Sequence, residues 1–269
     1  MEYKEIIYKV EDYIATITLN RPEALNAFDE TMINEWVDAI EAAKRDQKVR
    51  VLVVTGAGRG FCSGMDVRDA AAGNQPSSGV TYVPAYTIRN FLRLGVHKVP
   101  RALESLDKPY IASINGPAAG AGMDMASMAD IRIMSDKAKV GMTYVRMGLF
   151  PGDAGCYFLP RIVGVAKALE LIWSGKMIDA QEALRIGYVS YVVPQEELAK
   201  ATKELCRQFT QAPVATQFAK RLLWRGMDMF RNINLEMAEM AMVINSTSPD
   251  TKEGPKSWVE KREPKWTSE

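Results

Sequence analysis

Polar and apolar positions alternate through "YIATITLN" (13–20), where Ala15, Ile17 and Leu19 share one face and predict a half-buried strand. A turn-rich loop, "RPEALNAF", follows. Asp29 is placed to cap the next element, in which Met32, Ile33, Trp36, Val37 and Ile40 recur at the spacing of one helical face. The run "VRVLVVTG" (49–56) is apolar nearly throughout and suits a strand covered on both faces. "KPYIASING" (108–116) and "ADIRIMS" (129–135) read as further strands. Strand, helix, strand and Gly-rich loop in succession predict a layered α/β architecture.

Beyond residue 160 the strand signal fades and helical spacing takes over. "VAKALELIWSG" (165–175) predicts a helix that stops at Gly175. Asp179 with Glu182 has the form of a capping box before "ALRIG". "PQEELAKATKELCRQF", "VATQFAKRLLWRG" and the Met-rich "INLEMAEMAMVIN" follow as helices. The expected division is an α/β core over 1–195 and a helical region over 196–269. Residues 71–89 form the one long stretch without a period, and loops of that length commonly carry function.

Composition narrows the chemistry. Of 269 residues, 47% are hydrophobic and 25% charged, ordinary globular values, and the formal net charge of +1 gives no global attraction to nucleic acid or an anionic membrane. Cys62, Cys156 and Cys206 are widely spaced, which fits neither a disulfide framework nor a zinc knuckle. The N-terminus has no basic-then-apolar signal pattern, so a reducing, cytoplasmic setting is expected. The single histidine, His97, rules out multi-histidine metal sites and is read as a boundary residue.

Three glycine-rich signals remain. "TGAGRGF" (55–61) follows the buried strand, but its glycines lack the spacing of a dinucleotide-binding turn, and no phosphate-binding loop of the Walker type is present. "FCSGMD" (61–66) contains Ser63 without a nucleophile elbow. "NGPAAGAGMDMASMADIRI" (115–133) leaves the backbone nearly bare where a strand hands over to a helix. N–H groups at such a helix start lack partners, and small side chains let a ligand oxygen approach them. An oxyanion formed from a carbonyl is a suitable guest; close helix–sheet packing is the structural alternative.

These segments, taken in order along nearly the whole chain from "ATITLNRPEALNAF" to "EGPKSWVEKREPKW", resemble the enoyl-CoA hydratase/isomerase (crotonase) superfamily. The resemblance implies a core of repeated ββα turns wound as a spiral, a helical C-terminal region that drives trimerisation, and an acyl-CoA thioester as substrate. Two trimers commonly stack into a hexamer. It assigns the backbone N–H groups of Met65 and Ala121 to an oxyanion hole, with Gly64 and Gly120 beside them. It implies substrate or CoA contacts at Leu25, Ser63, Gly64, Asp66 and Gly120, and at Trp258 and Lys261 near the C-terminus, the latter pair sometimes serving a neighbouring subunit. No metal, flavin or nicotinamide is implied, since coenzyme A belongs to the substrate.

The chain departs from the family pattern where the reaction is decided. Hydratases of this family use two glutamates, the second 20 residues after the first. Here Asp124 and Tyr144 hold those places. Asp153, in "GLFPGDAG", lies in a loop where several family branches carry a catalytic aspartate. Asp124, Asp153 and Tyr144 are therefore the expected catalytic set, with the carboxyls' pKa values pushed apart into one acid and one base. The alternatives are Asp124 as a helix-start carboxylate satisfied by backbone donors and Asp153 as a loop cap. An enoyl-CoA hydratase acting on a straight-chain, dienoyl or cyclic substrate stands first and an isomerase next. An acyl-CoA hydrolase follows, and a non-catalytic CoA-ester-binding protein comes last. Residues 71–89 with Tyr144, Phe150 and Trp224 are the expected shapers of the acyl pocket, Trp224 equally suiting the core.

Overall fold

A computed structural model describes residues 2–66, 90 and 92–267. The expectations for residues 71–89 lie outside them. Strand β1 (Ile6–Glu11) pairs antiparallel with β2 (Ile14–Leu19). The rest of the main sheet is parallel: β2 beside β3 (Val51–Gly56), then β4 (Tyr110–Ile114), β6 (Ile131–Ser135) and β9 (Tyr191–Val193). A second sheet of three short strands joins β5 (Ala118–Ala119), β7 (Lys139–Gly141) and β8 (Ile178–Asp179).

Helix α1 (Glu30–Arg45) connects β2 to β3. Asp29, with extended backbone, accepts a 3.0 Å hydrogen bond from the Met32 N–H and so satisfies one orphan donor of the first turn. Met32, Ile33, Trp36 and Ile40 are buried, and Val37 packs against the same core. Trp36 is fully buried, so its truncation to alanine would cost about 3–5 kcal/mol.

The uninterrupted apolar run of β3 is explained by two covers. Leu52 and Val54 face the principal core, which includes α1 and α3 (Ala121–Ser127). Val51 and Val53 face a second cluster with Ile14, Ile111, Ile133, Leu198, Leu205 and Cys206. The last three belong to α7 (Leu198–Thr210), so the first helix of the C-terminal region seals the far face of the sheet.

Between these elements lie α2 (Lys98–Glu104), α4 (Gly155–Val163), α5 (Val165–Ser174) and α6 (Ala180–Arg185). Helix α5 ends on Gly175 in the left-handed conformation, as its sequence predicts. Asp179 caps α6 through the Glu182 N–H, but Glu182 turns its own carboxylate to Arg185 at 2.6 and 2.7 Å, so the reciprocal half of the capping box is not made. Strands β8 and β9 correct the expectation that strand structure fades after residue 160: they are two and three residues long, too short for a sequence period, and exist through pairing with β7 and β6. Helices α8 (Ala215–Gly226), α9 (Arg231–Asn245) and α10 (Asp250–Glu260) complete the chain.

Candidate active site

Two glycine-rich segments meet beyond the carboxyl end of β3. Cys62 and Ala118 form a parallel bridge, with the Ala119 N–H donating to the Cys62 carbonyl at 3.0 Å. Gly122 permits the approach: a side chain there would collide with the Cys62 carbonyl. Three residues on, Phe28 bridges Met65 by donating to the Gly64 carbonyl and accepting from the Asp66 N–H, each at 2.9 Å. Those bonds use the groups flanking Met65, so its own N–H faces away from Phe28.

Ala121 opens α3 behind Gly120, whose φ is +52°. Its N–H belongs to the first helical turn, where intrahelical partners are missing. Among the described residues neither the Met65 nor the Ala121 amide has a hydrogen-bond partner. Gly64, at φ +100°, brings the segments together: a Cβ there would stand 3.0 Å from the Ala119 carbonyl oxygen and 3.4 Å from the Ala121 nitrogen. Two free main-chain donors thus lie side by side, both close packing and bare backbone being present in the same turn.

One turn further, α3 carries Asp124, fully buried. The Tyr144 hydroxyl, from a short 3-10 helix (Thr143–Met147), stands 2.6 Å from Asp124 Oδ2 and 2.8 Å from Asp153 Oδ2. A phenol has one hydrogen. It can donate to one carboxylate, and the second contact is favourable only when the other carboxyl keeps a proton and donates to the phenol oxygen. The geometry therefore describes three groups with one acid and one base between the two aspartates.

Burial raises both carboxyls. Burial pushes the Asp124 carboxyl well above the usual carboxylate range; the Tyr144 hydrogen bond opposes this, the neighbouring Asp153 adds to it, and the nearby Gly155 N–H opposes it. Asp153 is also raised, burial again leading, with Tyr144 and the charge of His97 pulling down. The Tyr144 phenol is driven up by its own burial and by the two carboxylates.

Asp124 Oδ1 is buried and makes no hydrogen bond of good geometry, although the neighbouring Gly155 N–H favours the ionised form. Asp153 caps nothing: Ala154, at φ +85°, occupies the N-cap of α4, and no side-chain cap bond is made. Two neighbouring features were given no part in the site by the sequence reading. Gly155 is required beside Asp124, because a Cβ there would collide with both carboxylate oxygens. His97 Nε2 lies 2.7 Å from the Gly152 carbonyl oxygen. The signal for His97 was its being the only histidine.

Of the residues expected at CoA, Leu25 and Ser63 are neighbours: the Ser63 N–H donates to the Leu25 carbonyl at 3.0 Å and its hydroxyl to the Ala24 carbonyl at 3.1 Å. Asp66 pairs with Arg21 at 3.0 Å, and Arg21 also donates to the Ala27 carbonyl at 2.7 Å. Arg21 was missed because a charged residue before a proline has no distinctive period. Trp258 and Lys261 sit elsewhere in the chain. Their helix is tied through Asp250 to Thr267, whose carbonyl accepts from Arg50 at the amino end of β3. Within one chain no hydrogen bond or ion pair among the described residues joins them to Leu25, Ser63 or Asp66.

Phe150 is 71% exposed and outside the buried cluster. Trp224 is part of the packing of α8: its indole donates to Asp130 at 2.8 Å and its ring meets Phe158 edge-on. It lines a cavity of about 380 Å³ that reaches Ala154, next to Asp153. Among the described residues there is no cluster of histidine, cysteine, aspartate and glutamate able to hold a metal ion, and no helix long and apolar enough to cross a membrane.

An unsatisfied pair of amides near two buried carboxyls that share a phenol could accommodate a carbonyl compound that gains negative charge during proton transfer. A sequence model of the enoyl-CoA hydratase/isomerase family matches residues 9–269. The chain is 36% identical to a short-chain-enoyl-CoA hydratase of Clostridium acetobutylicum, covering 97% of each chain. It is 33% identical to a 1,2-epoxyphenylacetyl-CoA isomerase of Escherichia coli, covering 97% of this chain and 98% of that one. The crystal structure of an enoyl-CoA hydratase from Bacillus anthracis superposes with a TM-score of 0.89 at 29% identity, covering 99% of this chain and 100% of the other. The protein belongs to the enoyl-CoA hydratase/isomerase family and has the crotonase fold, as the sequence resemblance implied.

Proposed function

We propose that the enzyme hydrates the 2,3 double bond of an enoyl-CoA thioester, with the thioester oxygen between the Met65 and Ala121 amides. The observation that carries the reading is the Tyr144 hydroxyl shared by two buried carboxyls, which leaves one of them an acid and the other a base. The carboxylate removes a proton from water as the oxygen adds to C3. Electron density moves through C2 onto the thioester oxygen, where preorganised amides stabilise charge that is absent in the ground state. The carboxylic acid then delivers its proton to C2. Each cycle leaves the former base protonated and the former acid ionised. Tyr144 resets them by donating its proton to one side while accepting from the other.

The same connection supports a second reading, isomerisation, because a proton taken from an allylic carbon can return through Tyr144 without passing through bulk water. Loss of the conjugated enoyl absorbance with crotonyl-CoA, and incorporation of labelled solvent oxygen at C3, is the outcome expected for hydration. Gain of that absorbance from a 3-enoyl-CoA, with the substrate hydrogen retained, would favour isomerisation. Release of free CoA thiol would instead indicate a hydrolase. Asp124→Asn should abolish turnover; full activity in both Asp124→Asn and Asp153→Asn would reject the assignment.

The reading needs no metal, flavin or nicotinamide. Leu25, Ser63 and Asp66 are the inferred CoA contacts from this chain, with Trp258 and Lys261 reaching a neighbouring copy. A homotrimer, or a dimer of trimers, in the cytoplasm is the inferred state. Its support is the apolar surface of the C-terminal helices: Leu223, Phe230, Met240, Met242 and Val243 are each at least 62% exposed, and α9 buries none of its residues.

A further inference from the structure

The chain's single histidine is mounted against the turn that carries Asp153. His97 precedes α2 on backbone tied at both ends: its N–H donates to the Leu92 carbonyl at 3.0 Å and its carbonyl accepts from the Arg101 N–H at 3.4 Å. The ring is half-buried, and its Nε2 stands 2.7 Å from the Gly152 oxygen. A carbonyl oxygen only accepts, so Nε2 carries the hydrogen and the imidazole donates.

The turn it grips is not one the backbone would choose alone. Ala154, immediately after Asp153, has φ +85°, in a region that costs a residue with a Cβ about 1 kcal/mol or more. Such a conformation persists when its surroundings over-determine it. Tyr144 holds the Asp153 side chain from one side. Among the described residues, His97 is the one side chain that bonds the main chain of residues 151–154.

We propose that His97 is a positioning residue for this reaction: by donating to the Gly152 carbonyl it fixes the strained turn so that the Asp153 carboxyl meets Tyr144. The inference rests on the reading of Asp153 as one of the acid–base pair. The charge of His97 also favours the ionised form of the Asp153 carboxyl, in keeping with its place beside the turn.

The test uses the full chain with crotonyl-CoA and two substitutions. His97→Leu removes the donor, and His97→Gln places an amide N–H near the position of Nε2. His97→Leu should lower kcat about 10- to 100-fold, the scale of a carboxyl displaced by about 1 Å, with KM changed less than about threefold. His97→Gln should recover most of the loss, and in an Asp153→Asn background His97→Leu should add little. Unchanged kcat in His97→Leu, or an equal loss in His97→Gln, overturns the proposal while leaving the acid–base reading standing. A loss that persists in full in the Asp153→Asn background overturns the route through Asp153. Full activity of Asp153→Asn itself overturns the acid–base reading and the proposal with it. Amide hydrogen exchange over residues 151–157 gives a readout independent of turnover: faster in His97→Leu, restored in His97→Gln, and unaltered in both if the proposal is wrong. Should His97→Leu not fold, His97→Asn, whose amide is too short to reach Gly152, carries the same expectation.

Discussion

Replacing Tyr144 with phenylalanine tests the central feature of the site with little change in volume. The ring can stay in place, while the oxygen lying 2.6 Å from Asp124 and 2.8 Å from Asp153 is lost. A hydrogen bond to an ionised acceptor contributes about 1.5–3 kcal/mol. One pKa unit corresponds to about 1.4 kcal/mol, so losing the bond should raise the pKa of the base by about one to two units. The direction follows from the structure: Tyr144 is the largest influence holding both carboxyls down against burial. The acid limb of a kcat/KM–pH profile reports the free enzyme's base, and it should move up by the same about one to two units. At neutral pH the variant should be about 10- to 100-fold slower, and part of the loss should be recovered as pH rises. The remaining deficit measures the relay between the carboxyls. Initial rates with crotonyl-CoA, followed by enoyl absorbance across roughly pH 5 to 9, give the profile. An acid limb that stays where it was, or moves down, would refute the shared-proton account and leave Tyr144 as packing alone.

Three further outcomes follow from the same structure. Gly64→Ala should lower kcat about 100-fold or more, since a left-handed Gly64 gains a Cβ 3.0 Å from the Ala119 oxygen, beside both proposed oxyanion donors; steady-state kinetics would show it, and wild-type kcat would count against those donors. Asp124→Asn should be more thermally stable than the wild type near neutral pH: the native carboxyl's raised pKa means that the folded state holds a proton the unfolded chain releases, so wild-type stability falls as pH rises from about 4 through the native value. Melting curves from acid to neutral pH should show the variant's advantage growing with pH, and a constant difference would exclude a buried, partly desolvated carboxylate. Met240→Lys and Val243→Glu, both on exposed positions of α9, should shift the inferred trimer toward monomer in light scattering; an unchanged mass would place the interface elsewhere.

The fold was legible wherever one element carried its own period. Ala15, Ile17 and Leu19 alternate because β2 packs one face on the core, and Met32, Ile33, Trp36 and Ile40 recur because α1 does the same. The even hydrophobicity of 51–54 correctly signalled two covers, although the identity of the second, α7, depends on contacts of long sequence separation. What escaped was structure defined by a partner rather than by its own residues. Tyr191–Val193 is a strand because β6 offers it a free edge, and Glu182 chose Arg185 over its capping role because an oppositely charged neighbour on the same face competes for it.

At the site, the family resemblance nominated Asp124, Tyr144 and Asp153, which the structure brings together, but not how they would divide the work. Asp124 lies in a helix, Tyr144 in a 3-10 turn and Asp153 before a left-handed Ala154, and no sequence period links three such frames. Their meeting also explains why tyrosine suits position 144. Two buried aspartates already share the Tyr144 hydroxyl, and a glutamate there would add a third carboxyl near them, each further charge raising the cost of ionising the others. A phenol supplies a donor of similar reach with no charge of its own, and burial together with the flanking carboxylates keeps its proton on. The missing family glutamate is thus compatible with proton chemistry at this site: under the proposed function Asp153 would supply the second carboxyl, and Tyr144, at the freed position, links it to Asp124.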